Sequence, residues 1–184
     1  ADDAAVAAQQ SALWWKKDEA ADRLIEQRFG ALVAQASQGT LDHWSGSANG
    51  MLVLIVLLDQ FRRNIFRNTP DAFSADPQAL ALTRQLLAEG LDQSLRPIER
   101  VFAYLPLEHS ENLQDQQQCV GLMRNLQQTV PAHQRDTFAE YVDFAIRHSQ
   151  VIERFGRFPH RNVILNRPSS AEEIEFLKQP GSSF

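Results

Sequence analysis

Apolar residues recur along this chain at three- and four-residue steps, and no stretch alternates apolar with polar for long enough to make a strand, so the pattern predicts an all-α fold. After Asp18, whose side chain suits a helix cap, Ala21, Leu24, Ile25, Phe29, Leu32 and Val33 mark one face, and Gly39 supplies a left-handed stop. Ser45 to Gly50 is a turn cluster. The helix predicted from Met51 to about Arg67 is apolar on every side through Leu58, so it must be central.

Further along, Asp76-Pro77 starts a helix that Gly90 closes. Pro97 opens another through Val101 and Tyr104, and Pro106 is expected to end it near Leu105, because proline removes a donor and crowds the preceding turn. Ser110 is expected to cap a helix running to about Thr129. Pro131 opens the longest one, with a stripe from Phe138 through Tyr141, Val142 and Ala145 to Ile152 and a stop at Gly156. Ser170 and Glu173 form a capping box for the last. Loops this short imply antiparallel helical hairpins packed in layers. The expectation is a single all-helical domain over 1–184, with residues 1–12 a candidate flexible amino end.

Composition narrows the class of function. At 184 residues and 43% hydrophobic, the chain is long enough to bury a core without metal or disulfide staples. The lone Cys119 excludes an internal disulfide and every thiolate zinc cluster, which suits a reducing, cytoplasmic setting. The eight-residue apolar run Met51–Leu58 is far short of a membrane span, and the first residues lack the basic-then-apolar order of a signal peptide. They read as the amino end of a mature soluble chain. Eighteen Lys and Arg against 23 Asp and Glu give −5, which argues against general binding to nucleic acid or anionic membrane.

Within that acidic whole, Arg147, Arg154, Arg157, Arg161 and Arg167 fall in one segment whose only acid is Glu153. Its centre, RFGRFPHRN, reads as a helix end, a pre-proline residue and a new turn, with Phe155 and Phe158 as anchors and the Arg and His160 side chains free to recognise an anion. Asp59 lies one turn past Ile55 on an apolar face and so needs a partner. Arg63 is the local one, and an arginine of the carboxy-terminal cluster is expected to be the more consequential. Gln60 and Asn64, four apart, face either a pocket or water. In Glu108-His109-Ser110-Glu111, His109 beside a helix start is a candidate ligand contact, while Ser110 and Glu111 also suit capping. His148 lies on or beside the apolar stripe of its helix, two turns before the Arg loop, and with His109 and His160 completes the candidates for proton transfer.

The motifs LLDQFxRNIFR, VFxYLPLEHSE, RFGRFPHRN and the closing SAEEIEFLKQPGSSF, in that order from about Trp15 onward, resemble the bacterial domain of unknown function 924 family. The resemblance implies a tetratricopeptide-like helical fold and no known activity. Two departures stand out. Arg62 replaces a proline common in the family, which is expected to add a charge beside the site, and an Ala- and Gln-rich stretch replaces its usual Phe-Trp-Phe-Gly opening.

The leading reading is a small carboxylate or phosphorylated anion bound by Asp59, Arg63, Asn64, His109, Glu111, Arg154, Arg157, His160 and Arg161, with acid–base work open to His109, His148 or His160 and no cofactor. A protein-interaction module anchored by Trp14, Trp15 or Trp44 is the alternative. A metal-dependent hydrolase using His109, Glu111, His148 and His160 comes third, and RNA binding a distant fourth. No nucleic-acid or membrane partner is expected.

Overall fold

In the computed structural model, which describes residues 2–184, the helical periodicity is realised throughout, with no β-strand among these residues. The helices are α1 (Asp3–Trp15), α2 (Glu19–Ser37), α3 (Ala48–Ile55), α4 (Arg62–Ile65), α5 (Asp76–Ala88), α6 (Pro97–Glu108), α7 (Leu113–Thr129), α8 (Arg135–Phe155) and α9 (Ala171–Leu177), linked mostly by single 3₁₀ turns. Asp18 caps α2 by accepting the amides of Ala20 and Ala21, and α8 ends on a left-handed Gly156 with φ of 67°.

The central apolar helix behaves as its composition demands. α3 runs through a π-helical segment, Val56–Phe61, directly into α4. Met51 and Ile55 are buried in the larger core with α1, α6, α7 and α8, whereas Leu54, Leu57 and Leu58 are buried in a second core with α2 and α5. Each such side chain contributes roughly 1.5–3 kcal/mol by leaving water, which is why this helix organises both layers. The widened π turn falls on Asp59, and such bulges gather at functional sites. A third cluster, Val151, Ile152 and Phe158 with Phe155 and Phe176, seats the carboxy-terminal turn and α9 on α8.

At the amino end, residues 3–12 belong to α1, where Asp2 accepts the Ala5 amide and the buried Asp3 pairs with Arg96 while Ala7 enters the core. The helix's one buried apolar side chain, Ala7, carries almost no hydropathy signal. Three sequence expectations are corrected. Pro106 lies inside α6, which continues to Glu108. The continuation is secured by Gln116, whose Nε2 donates to the carbonyl of Glu108 at 2.6 Å and of Ser110 at 2.7 Å, and by full burial of Leu107. The cap of α7 is Asn112, since Ser110 spends its hydroxyl hydrogen on Asp115 at 2.6 Å. Pro131 opens a 3₁₀ turn, Ala132–Gln134, and α8 follows it.

Candidate functional site

A cavity of about 800 Å³ opens where α1, α6 and α8 face the α3–α4 helix and the 3₁₀ turn Pro159–Arg161. Its polar wall includes Gln60, Arg63, Asn64, His109, His160 and Arg161, which come from three distant stretches of chain.

Asp59 is the fixed point beneath this wall. Its side chain is 1% exposed and meets Arg63 at 3.0 Å, Nδ1 of His109 at 2.7 Å and the Gln60 amide at 2.5 Å. Burial alone would raise its carboxyl, but the Arg63 charge and the hydrogen bonds from His109 and Gln60 outweigh it and hold the group ionised, well below the usual carboxylate range. The partner brought from far along the sequence is thus His109 and not an arginine of the carboxy-terminal cluster. Arg63 also forks onto Asp76 at 2.8 and 2.9 Å, tying α4 to the first turn of α5. Asn64 donates to Asp22 at 2.8 Å and Arg67 grips the same carboxylate, so the wall is braced on α2 as well.

An ionised Asp59 makes Nδ1 the protonated nitrogen of His109 and leaves Nε2 as the free ring nitrogen of a cavity-lining residue. Burial, with the nearby Arg63 charge, lowers the pKa of His109 against the opposing pull of Asp59. The ring is therefore neutral at pH 7 and suited to accept a proton.

Arg161 is the anomaly of the wall. The residue is only 6% exposed, and its guanidinium donates no hydrogen bond among the described residues; its Nε is buried without a partner, and the nearest carboxylate, Asp76, is 3.8 Å away. Its guanidinium carbon sits 4.5 Å from the Phe158 ring centre and 4.8 Å from that of Phe73. Burial and the neighbouring Arg63 lower its pKa to about 10, which still leaves it charged at pH 7. Beside it His160 has a buried Nδ1 without a partner and is brought to about 4 by burial and the Arg161 charge. A buried donor left unpaired costs ~1–3 kcal/mol, more when charged, and a bound anion removes that cost.

His148 is buried on α8, gives its Nδ1 hydrogen to the Phe144 carbonyl at 2.8 Å and stacks on Phe184 at 3.8 Å between ring centres. Burial brings it to about 3, so it stays neutral. Glu108, read from sequence only as part of a motif, also lines the cavity; burial, reinforced by the Asp59 charge, pushes it up to about 8. Its neighbours are His148 at 3.5 Å and Cys119 at 4.0 Å, and no cation grips it. A neutral acid and a neutral base thus adjoin each other in sequence and cavity.

The remaining candidates lie outside this wall. Arg157 forks onto Glu173 at 2.7 and 2.8 Å, and Arg154 holds Glu172. Glu111 is gripped by Arg167 at 2.7 and 2.9 Å and accepts the Phe158 amide at 2.8 Å. These bonds lash the Arg-rich loop to α9 and to the start of α7, and so position Arg161 without touching the cavity. Arg62, expected to add charge beside the site, is buried on the far side, bound to Ser37, Ser74 and the Asp71 carbonyl. Among the described residues no group of three or more His, Cys, Asp or Glu side chains is placed to hold a metal ion. No helix among the described residues is long and apolar enough to cross a membrane.

The parts of the wall formed by Ala4, Ala7 and Ala8 of α1 and by Phe73 carry no sequence signal of function. Residues 4–181 match the family model described as a bacterial protein of unknown function. The match extends across α1, further toward the amino end than the motifs alone reach. A solved structure of a protein of unknown function from Agrobacterium tumefaciens is similar at 36% identity and a TM-score of 0.80, over 96% of this chain and 99% of that one. No curated protein matches.

Proposed function

Since the chain belongs to the DUF924 family of bacterial proteins of unknown function, we propose from the geometry of its cavity that it binds a small anion, a carboxylate or phosphorylated metabolite, with Arg161 as the anchor. One observation carries the reading: a guanidinium more than nine-tenths buried, charged at pH 7, without a hydrogen bond, beside a large cavity. Structural arginines of this chain, Arg62, Arg63 and Arg157, all have their forks filled. Arg161 does not, and charge-assisted bonds of ~1.5–3 kcal/mol await a ligand that brings an oxygen acceptor. His160 offers a further contact once its Nδ1 carries the proton.

The Asp59–His109 pair supports acid–base chemistry on such a ligand, with Nε2 of His109 taking a proton from the ligand or a water and Asp59 stabilising the imidazolium that results. A cytoplasmic location and a tetratricopeptide-like winding of the hairpins belong to the same proposal. They are supported by the single buried thiol of Cys119 and by the close packing of α7 on α8.

The test is a thermal-shift panel with inorganic phosphate, acetate, citrate and glycerol phosphate. Arg161→Gln is expected to abolish any stabilising shift, whereas Arg157→Ala, already committed to Glu173, is expected to retain it at a lower starting Tm. Shifts that survive Arg161→Gln overturn the proposal.

A further inference from the structure

We propose that the natural ligand is an amphiphile, an anionic head on Arg161 followed by an unbranched apolar chain lying along the wall between α1 and α6. The proposal rests on the head site above and deepens it by naming the rest of the molecule.

Three observations carry it. First, the cavity is too large for a head group alone: about 800 Å³ corresponds to roughly 27 water volumes at ~30 Å³ each, near the top of the ~300–1,000 Å³ range of small-molecule sites. Second, away from the polar wall its buried lining is apolar, formed by Ala7 of α1, Val101 and Leu105 of α6 and Met123 of α7. A polar metabolite that filled the space would leave its hydroxyls there without partners, and each would cost free energy. Third, the outer lining includes aromatic surface open to solvent, Trp15 at 44% and Phe144 at 46% exposure, which an emerging chain would cover. Alanine at positions 4, 7 and 8 keeps the α1 side of the wall flat. Glu108, neutral at pH 7 because of its burial, is compatible with a chain passing beside it, as an ionised carboxylate would not be.

Titration calorimetry at fixed ionic strength, below micelle-forming concentrations, tests this with butyrate, hexanoate, octanoate and decanoate, the matching alkyl phosphates, and decylamine. Affinity is expected to rise about fourfold for each methylene buried, the ratio that ~0.8 kcal/mol represents, and to level off when the chain fills the cavity. Ala8→Phe, on an exposed part of the α1 wall, is expected to remove that rise, and Arg161→Gln to weaken every member. The series that binds more tightly, carboxylate or phosphate, identifies the head. If acids of all lengths bind equally and depend on Arg161, the anion site stands and the chain inference falls. If no anion binds, both readings fall. Decylamine binding as tightly as decanoate would also overturn the inference, because it would show apolar capture without recognition of the head.

Discussion

Glu108→Gln isolates the electrostatics of the cavity floor. Glu108 is 5% exposed and has no cation bonded to it, and its carboxyl titrates at about 8, raised by burial and by Asp59 from an ordinary 4.5. Between those two values the folded chain holds a proton that the unfolded chain has released. The associated stability is therefore complete below about pH 4.5 and is lost as pH rises toward 8, at ~1.4 kcal/mol per pH unit. Glutamine, similar in size and always neutral, does not titrate. Relative to wild type, Glu108→Gln is expected to gain about 2–3 kcal/mol between about pH 4.5 and pH 7, whatever constant offset its amide introduces. His148 and His160, held down at about 3 and about 4, act in the opposite direction. They take up protons in the unfolded chain below about pH 6.5, so stability is present above that value and lost as pH falls through it toward their folded values. Both proteins share this loss, and it cancels in the difference. Urea melts in half-unit steps from about pH 4.5 to about pH 8 give the comparison. A difference independent of pH would mean that Glu108 is ionised in the folded chain and would refute the account of a low-dielectric cavity floor.

Arg161→Met, which keeps the contacts with Phe73 and Phe158 but removes an unpaired buried charge, is expected to leave the melting temperature equal or higher in anion-free buffer while eliminating the response to anions; a loss of several degrees would show that the charge is structural. Asp59→Asn leaves Arg63 with Asp76 as its sole carboxylate and removes the charge that orients the His109 ring, and a destabilisation of about 1–3 kcal/mol in denaturant melts is expected. Gly50→Ala would put a Cβ 1.9 Å from the Trp44 carbonyl oxygen, a contact with backbone that cannot yield cheaply. A loss of more than about 2 kcal/mol is expected, and a neutral effect in the same melts would show that the turn before α3 moves freely.

What the sequence disclosed follows from which signals are local. The helices with wide apolar stripes, α2, α5, α7 and α8, were legible because burial imposes the three- and four-residue period on them. α1 was not, because helix and surface loop are both compatible with alanine and glutamine, and only its tertiary contacts, Asp3 with Arg96 and Ala7 in the core, decide the matter. Pro106 misled because proline's local cost is real, yet Gln116 satisfies carbonyls around that turn from a different helix. For the site, the concentration of arginine pointed to the right loop but could not separate Arg161 from Arg154 and Arg157. That distinction depends on where Glu172 and Glu173 fall, and α9 brings both to the loop from a later stretch of chain. The elevated Glu108 was invisible for the same reason, since only the fold shows that no arginine or lysine is bonded to it.

An arginine sheltered by aromatic rings and lacking a counter-ion of its own makes the handling of the purified protein part of its chemistry. If that arginine anchors an anion as proposed, phosphate, sulfate or citrate in a storage buffer would act as a surrogate guest, raising the apparent melting temperature by mass action and competing with any weaker molecule added later. On the same proposal, screens begun in such buffers would meet a site already filled, and a zwitterionic, low-chloride medium is the one in which a weaker ligand would register.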